Sequence, residues 1–206
     1  MVIVLMFMLM LTSLAVFSAR YGTLGEEMAA NHLDQERARQ AAEAALRDAE
    51  RDLLLTAAVR PANARCDRRP DRPVFERTAS FDNQCRRGQC EPSPTAATQS
   101  NWTTGSDAER WWPDDRGGRW ANKAAKPSVA AGSDVNCNFA GGVPIGTFTG
   151  AAEVQGVRRQ PEYLIEYFQA GSGRSGDYFR ITARGFGTNP ATEVVMQSYF
   201  QPYVIQ

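Results

Sequence analysis

Nineteen residues, Met1 to Ala19, pass without a charged side chain, and the first is Arg20. Their polar members, Thr12, Ser13 and Ser18, carry hydroxyls that can bond back to helical carbonyls. As a helix rising about 1.5 Å per residue, the run reaches about 28 Å, close to the roughly 30 Å hydrocarbon core of a bilayer. Val4, Leu5, Phe7, Leu11, Leu14 and Phe17 are the side chains expected to meet lipid and later the helices of partners. A cleavable secretory signal, cut near Ser13-Leu14-Ala15, is the competing reading. It lacks the basic stretch such a peptide needs at its start, and the apolar run continues into a long helical pattern. A retained anchor is therefore preferred. Opening directly on apolar residues reads as a mature chain whose charged leader has been removed, with Met1 its processed N-terminus.

Beyond Gly22 and Gly25, where a helix would bend or melt most easily, Leu24, Met28, Ala38, Ala42, Ala45, Ala49 and Leu53 recur at helical spacing. Glu36, Arg37, Arg39, Glu43, Arg47, Asp48 and Arg51 are assigned to the wet side, with Glu43 and Arg47 an i,i+4 pair. A rod from Met1 to about Leu55 would be about 80 Å long, more than a domain of this size can cover. Half of it must project. The expected organisation is an apolar anchor over 1–19, an amphipathic helix over 20–55, a loop-rich region over 56–161 and antiparallel strands over 162–206.

Acidic and basic side chains balance at 23 each, so no field of one sign draws the molecule to nucleic acid. Cys66, Cys85, Cys90 and Cys137 form an even set in the polar part of the chain, which suits two disulfides and an oxidising compartment. Three connectivities are open, of which Cys85–Cys90 with Cys66–Cys137 is preferred. The spacing is not that of a zinc site, and the single histidine, His32, leaves no multi-histidine metal centre or catalytic triad. No convergent nucleophile, base and oxyanion donors are evident, so the chain reads as no enzyme, with no cofactor and no metal.

Between Pro61 and Pro161, proline, glycine, asparagine, aspartate and serine break every long period, which predicts loops and short strands. Three strands are then expected at Glu162 to Phe168, Asp177 to Gly185 and Thr192 to Gln201. In the second, Phe179, Ile181 and Ala183 alternate with Arg180, Thr182 and Arg184, as in a strand wet on one side. Glycine-bearing connectors make an antiparallel meander the simplest pairing. The fold class is α+β, a long N-terminal helix on a small antiparallel sheet with a disulfide-containing, loop-rich head.

Asp107, Glu109, Asp114 and Asp115 match no calcium loop and are read as solvated carboxylates. Trp102, Trp111, Trp112 and Trp120 are read as core filling over a stacking platform for sugar, peptide or single-stranded nucleic acid. Eight arginines against four acids between Ala57 and Cys90 are read as a solvated loop. Arg68, Arg69, Arg86 and Arg87, with Trp111 and Trp112, are the candidates for a partner or ligand surface. Asn101-Trp102-Thr103 is taken as an accidental sequon, and the glycines of Arg184-Gly185-Phe186-Gly187 and Gly171-Ser172-Gly173 as turns.

Two stretches carry a family likeness. Thr23-Leu24-Gly25-Glu26-Glu27-Met28-Ala29-Ala30-Asn31 followed by Arg39-Gln40-Ala41-Ala42-Glu43-Ala44-Ala45-Leu46-Arg47 resembles the N-terminal region of PilX-type minor pilins. Tyr163-Leu164-Ile165-Glu166, Tyr178 to Gly185 and Val194-Val195-Met196-Gln197-Ser198 are similar to that family's last strands. The likeness lies at both ends, about half the chain, and leaves the middle unmatched. It implies a type IV pilin-like fold, processing by a prepilin peptidase and N-methylation at Met1. It also implies a place in the inner membrane with a periplasmic head, and then at the pilus tip. The implied partners are other minor pilins, the major pilin and a PilY-type tip adhesin, in a complex that primes pilus assembly. Leu5 stands where major pilins have a glutamate thought to pair with a neighbour's amine, which suits a tip or assembly role over repeated insertion along a filament. The alternatives are a membrane-tethered pilin-like module binding DNA or a host surface, and a pseudopilin of type II secretion.

Overall fold

No proline interrupts the chain before Pro61, and the first long element is one unbroken helix, α1 (Val2–Leu54), in a computed structural model of the protein. The structure describes residues 1–55, 61–68, 72, 81–93, 108–120, 137–169 and 177–201. α1 runs straight through Gly22 and Gly25, around which no other group comes near. In its apolar half, Thr12 Oγ1 donates to the Met8 carbonyl at 3.0 Å and Ser13 Oγ to that of Met10 at 2.8 Å, so these hydroxyls need no outside partner. The helix ends at Leu55, whose backbone turns extended, with Arg51 in the last turn, where its charge favours the helix dipole.

The head starts at Asp34. Every described side chain of α1 before it is exposed, including Leu24 and Met28, so the buried stripe begins later than the periodicity suggests. From there Asp34, Ala38, Ala41, Ala42, Ala45, Ala49, Asp52 and Leu53 turn inward. Alanines let helix and sheet backbones approach closely, and Gly185 completes the fit: a Cβ there would sit 2.1 Å from the Ala38 carbonyl oxygen. On the outer face Arg39 reaches Glu43 at 3.4 Å and Glu36 at 4.0 Å.

The sheet is built around β3 (Glu162–Phe168), β4 (Tyr178–Phe186) and β5 (Glu193–Phe200), an antiparallel meander whose bounds lie within a residue or so of those read from alternation. Two strands of two residues share the other edge of β3. β1 (Gln89–Cys90) runs parallel beside Ile165 and Glu166, and β2 (Val143–Pro144) antiparallel beside Tyr163 and Glu162. The sheet is thus mixed.

One core lies between sheet and helix: Ala45, Ala49 and Leu53 meet Tyr163, Ile165, Phe179, Ile181 and Ala183, with Phe81, Phe139 and Phe148 filling in from the loops. A second core lies on the opposite face, made by Trp120, Leu164, Cys85 and Cys90 with Trp111 packed against it. This corrects the expectation that β4 is wet on one side. Arg180, Thr182 and Arg184 are all buried, because chain from the loop-rich region closes over them. The cysteines are joined as Cys66–Cys137 and Cys85–Cys90. The first ties loops far apart in sequence, and the second closes a tight turn in which Cys85, Arg87 and Gly88 all adopt positive φ.

Candidate functional site

Three aspartates on the buried side of α1 hold the head to the helix. Asp34 accepts from the Thr188 amide at 2.6 Å, the Thr188 hydroxyl and the Asn189 amide at 3.2 Å, which pins the β4–β5 turn. The hydroxyls of Thr188 and Thr192 and these amides hold its carboxyl well below the usual carboxylate range. Asp48 accepts from the Gly146 amide at 2.8 Å and from the Thr149 hydroxyl, fixing the loop after β2. Burial pushes its carboxyl up, with the hydrogen bonds opposing. Its assignment to the wet side is therefore corrected: it shares the inward face with Ala45, Ala49 and Asp52.

Asp52 is fully buried at the centre of a polar network. Arg68 Nη1 and Arg72 Nη2 both pair with it, and the Tyr163 hydroxyl donates to it at 2.9 Å. Burial opposes its charge, but the guanidinium of Arg72, then that of Arg68, overcomes this and keeps the carboxyl below its ordinary value. Burial beside Asp52 pushes the Tyr163 phenol far up, so it stays a donor. Arg72 also donates to Gln89 Oε1 at 3.1 Å and to the Arg87 carbonyl, and lies 3.5 Å over the Phe148 ring. Arg68 further donates to the carbonyls of Asp52 at 2.7 Å and Leu55 at 2.9 Å, satisfying the helix end.

A second polar layer sits on the far side of the sheet. Arg180 pairs with Glu166 at 2.8 Å and Glu109 at 2.6 Å, and Arg184 pairs with Glu162. Arg159 reaches Glu162 at 3.0 Å, and Arg184 lies 4.8 Å over the Trp120 ring. Burial raises the Glu166 carboxyl against the pull of Arg180. Glu109 is therefore a buried ion-pair partner and not a solvated carboxylate, whereas Asp114 and Asp115 are exposed; Asp107 lies outside the described residues.

The surface drawn from arginines and tryptophans does not assemble. Arg68 and Arg87 are buried, Arg68 on Asp52 and Arg87 donating to the Asp67 carbonyl at 2.5 Å and lying over Phe148 at 4.7 Å, so neither faces a partner. The buried acid on α1 draws arginines inward that composition alone places in a solvated loop. Arg86 is exposed and 3.4 Å from Asp82. Arg69 and Trp102 lie outside the described residues. Trp111 and Trp112 are half-buried, edge to face at 6.3 Å, and Trp120 is a core residue. His32 is exposed on α1, and among the described residues no group of three or more His, Cys, Asp or Glu is placed to hold a metal ion. The partners of Asp34 and Asp52 escaped sequence reasoning. One signal was there: both acids fall on the helical stripe of the alanines.

What remains open to the outside is the apolar stretch of α1. Met1, Val4, Leu5, Phe7, Leu11, Leu14 and Phe17 are all exposed, and the helix is long and apolar enough to cross a membrane. Its mean hydropathy of 2.5 over the most apolar window fits anchoring in a bilayer. No curated protein and no solved structure matches the chain. A family model described as "Type IV pilus assembly protein PilX C-term" matches residues 63–202. That match includes the middle region, which showed no likeness on its own residues. An exposed apolar helix, a disulfide-closed α+β head and a match over more than half of the chain lead to one conclusion: the chain belongs to the PilX family of type IV pilus assembly proteins, a family of structural pilins.

Proposed function

We propose that this chain is a minor pilin that acts in a complex priming type IV pilus assembly and sits at the pilus tip. The observation that carries this is the division of the molecule. From Val2 to Leu33 every described side chain of the helix is exposed, whereas the head's buried charges are closed on one another. A bare apolar helix needs other helices or lipid, and lipid gives no hydrophobic gain for the exchange, so partner helices would associate by close packing. Val4, Leu5, Phe7, Leu11, Leu14 and Phe17 are the contact residues of that exchange.

Before assembly the helix anchors the chain in the inner membrane with the head in the periplasm, which agrees with two disulfides. A prepilin peptidase processes the chain before assembly. Other minor pilins, the major pilin and a PilY-type tip adhesin are the partners. The reading involves no substrate chemistry, no cofactor and no nucleic acid. The test is deletion of the gene, scoring surface pili released by shearing together with co-purification of the chain with other minor pilins. Loss of pili with recovery of a minor-pilin complex supports the reading; normal piliation with no pilin partner removes it.

A further inference from the structure

β5 ends the sheet, and among the described residues nothing pairs with its outer edge. All eight residues keep unbroken register with β4, with no bulge and no proline; their one charged side chain, Glu193, stands at the first position and leaves the rest of the edge without the blocks that usually deter pairing with another chain. The Gly187 amide donates to the Thr192 carbonyl at 3.0 Å, making Gly187 and Thr192 a hydrogen-bonded pair. Such pairs alternate along an antiparallel ladder. Val194, Met196, Ser198 and Phe200 therefore turn their amides and carbonyls to β4, while those of Glu193, Val195, Gln197 and Tyr199 point out from the sheet.

The same four residues are the exposed ones. Val195 at 40% and Tyr199 at 66% are, with Leu54, the large hydrophobic side chains that the head exposes among the described residues. Tyr199 also ends an aromatic row: Phe168 stacks on Tyr178 at 4.9 Å, and Tyr178 lies 6.1 Å from Tyr199. Open backbone groups and exposed apolar side chains thus coincide on one strand.

We infer that the outer edge of β5 is a strand-addition site for an extended segment of a different pilin-type subunit. An extended backbone matches a row of outward amides and carbonyls along its length, and it would set β-branched or aromatic side chains beside Val195 and Tyr199. The orientation of α1 decides against a second copy. Gly187 lies at Asp34, Gly185 at Ala38 to Ala42, and Tyr163, level with Ala183, reaches Asp52. β4 thus runs against the direction of α1 and β5 runs with it. Symmetric antiparallel pairing of β5 with its own copy would point the two helices in opposite directions, and two apolar N-terminal helices anchored in one bilayer cannot do that. The occupant is also placed by continuity. α1 leaves the head at Asp34, which holds the β4–β5 turn, so a subunit packed along the bare helix brings its head level with the start of β5. The inference rests on the assembly reading above.

The test places the photo-crosslinker p-benzoylphenylalanine at Gln197 of the full-length chain in piliated cells, with Arg47 on the exposed back of α1 as control. Adducts are mapped by peptide mass spectrometry. The expected result is an adduct from position 197, absent from position 47, on a strand segment of one other pilin-type subunit. An adduct on a second copy or on a protein of another kind, or none at all, overturns the site. Two variants check the consequence. Gln197→Pro removes an outward amide and, toward β4, only the 3.0 Å side-chain bond to the Thr182 hydroxyl, and Val195→Lys with Tyr199→Lys charges the edge; both stay folded, the lysine pair with wild-type melting, while recovery of the pilin partner falls about tenfold or more. Undiminished recovery overturns the site while pilus loss in the deletion strain keeps the assembly role; normal piliation in that strain removes both.

Discussion

Replacing Asp52 by asparagine keeps the shape of the side chain and one acceptor oxygen but removes the negative charge that two guanidiniums face. The side chains of Asp52, Arg68 and Arg72 are each 0% exposed. Breaking a buried pair by removing one partner typically costs about 3–5 kcal/mol, because the remaining charge stays buried and uncompensated. Here one acid serves two arginines and the Tyr163 hydroxyl, so the upper part of that range applies. Against a total stability of about 5–15 kcal/mol this is a large fraction. With a urea slope of roughly 2 kcal/mol/M, the unfolding midpoint of the full-length chain in detergent falls by about 2 M. Tryptophan fluorescence is the readout, since Trp120 is buried beside Arg184. The pH dependence has a definite sign. The folded carboxyl lies below its unfolded value of 3.8, so its contribution is fully present above that value and is lost as pH falls through the folded one. Asp52→Asn lacks that component. Replacing the trio together, Asp52→Leu with Arg68→Met and Arg72→Met, restores most of the loss, because no buried charge remains. A midpoint shift under about 0.5 M for Asp52→Asn, roughly 1 kcal/mol, would refute the reasoning.

Gly185→Val places its Cβ 2.1 Å from the Ala38 carbonyl oxygen and 2.4 Å from the Ala42 amide nitrogen, both backbone, so α1 must lift from β4 and the melting temperature drops by at least several degrees. Asp34→Ala frees the β4–β5 turn, seen as faster hydrogen exchange at the Thr188 and Asn189 amides with the core amides unaffected. In the wild-type chain those amides lose protection only as pH falls through the depressed value of the Asp34 carboxyl, well under 3.8. Cys66→Ser with Cys137→Ser opens a loop spanning 71 residues and lowers stability by about 2–4 kcal/mol, read as an earlier urea midpoint.

The elements with a long period were legible before any coordinates. An uncharged run followed by helical spacing specifies α1, and alternation specifies β3, β4 and β5, because periodicity over seven or more residues reports which backbone geometry buries a face. β1 and β2, at two residues each, have no period to read, and their place beside β3 is decided by contacts remote in sequence. Burial of the arginines was equally invisible. Arg68, Arg72, Arg180 and Arg184 look like solvent-facing residues until Asp52, Glu162, Glu166 and Glu109 are brought to them across the fold. The sequence by itself determined an apolar helix too long for its own head, a meander, and cysteines enough for two disulfides. Tertiary structure alone decided that β3 and β4 are covered on both faces, which arginines stay outside, and that among the described residues β5 keeps an open edge. A charged residue is bland in a linear pattern, and whether it is solvated or paired depends on partners that only the folded chain supplies.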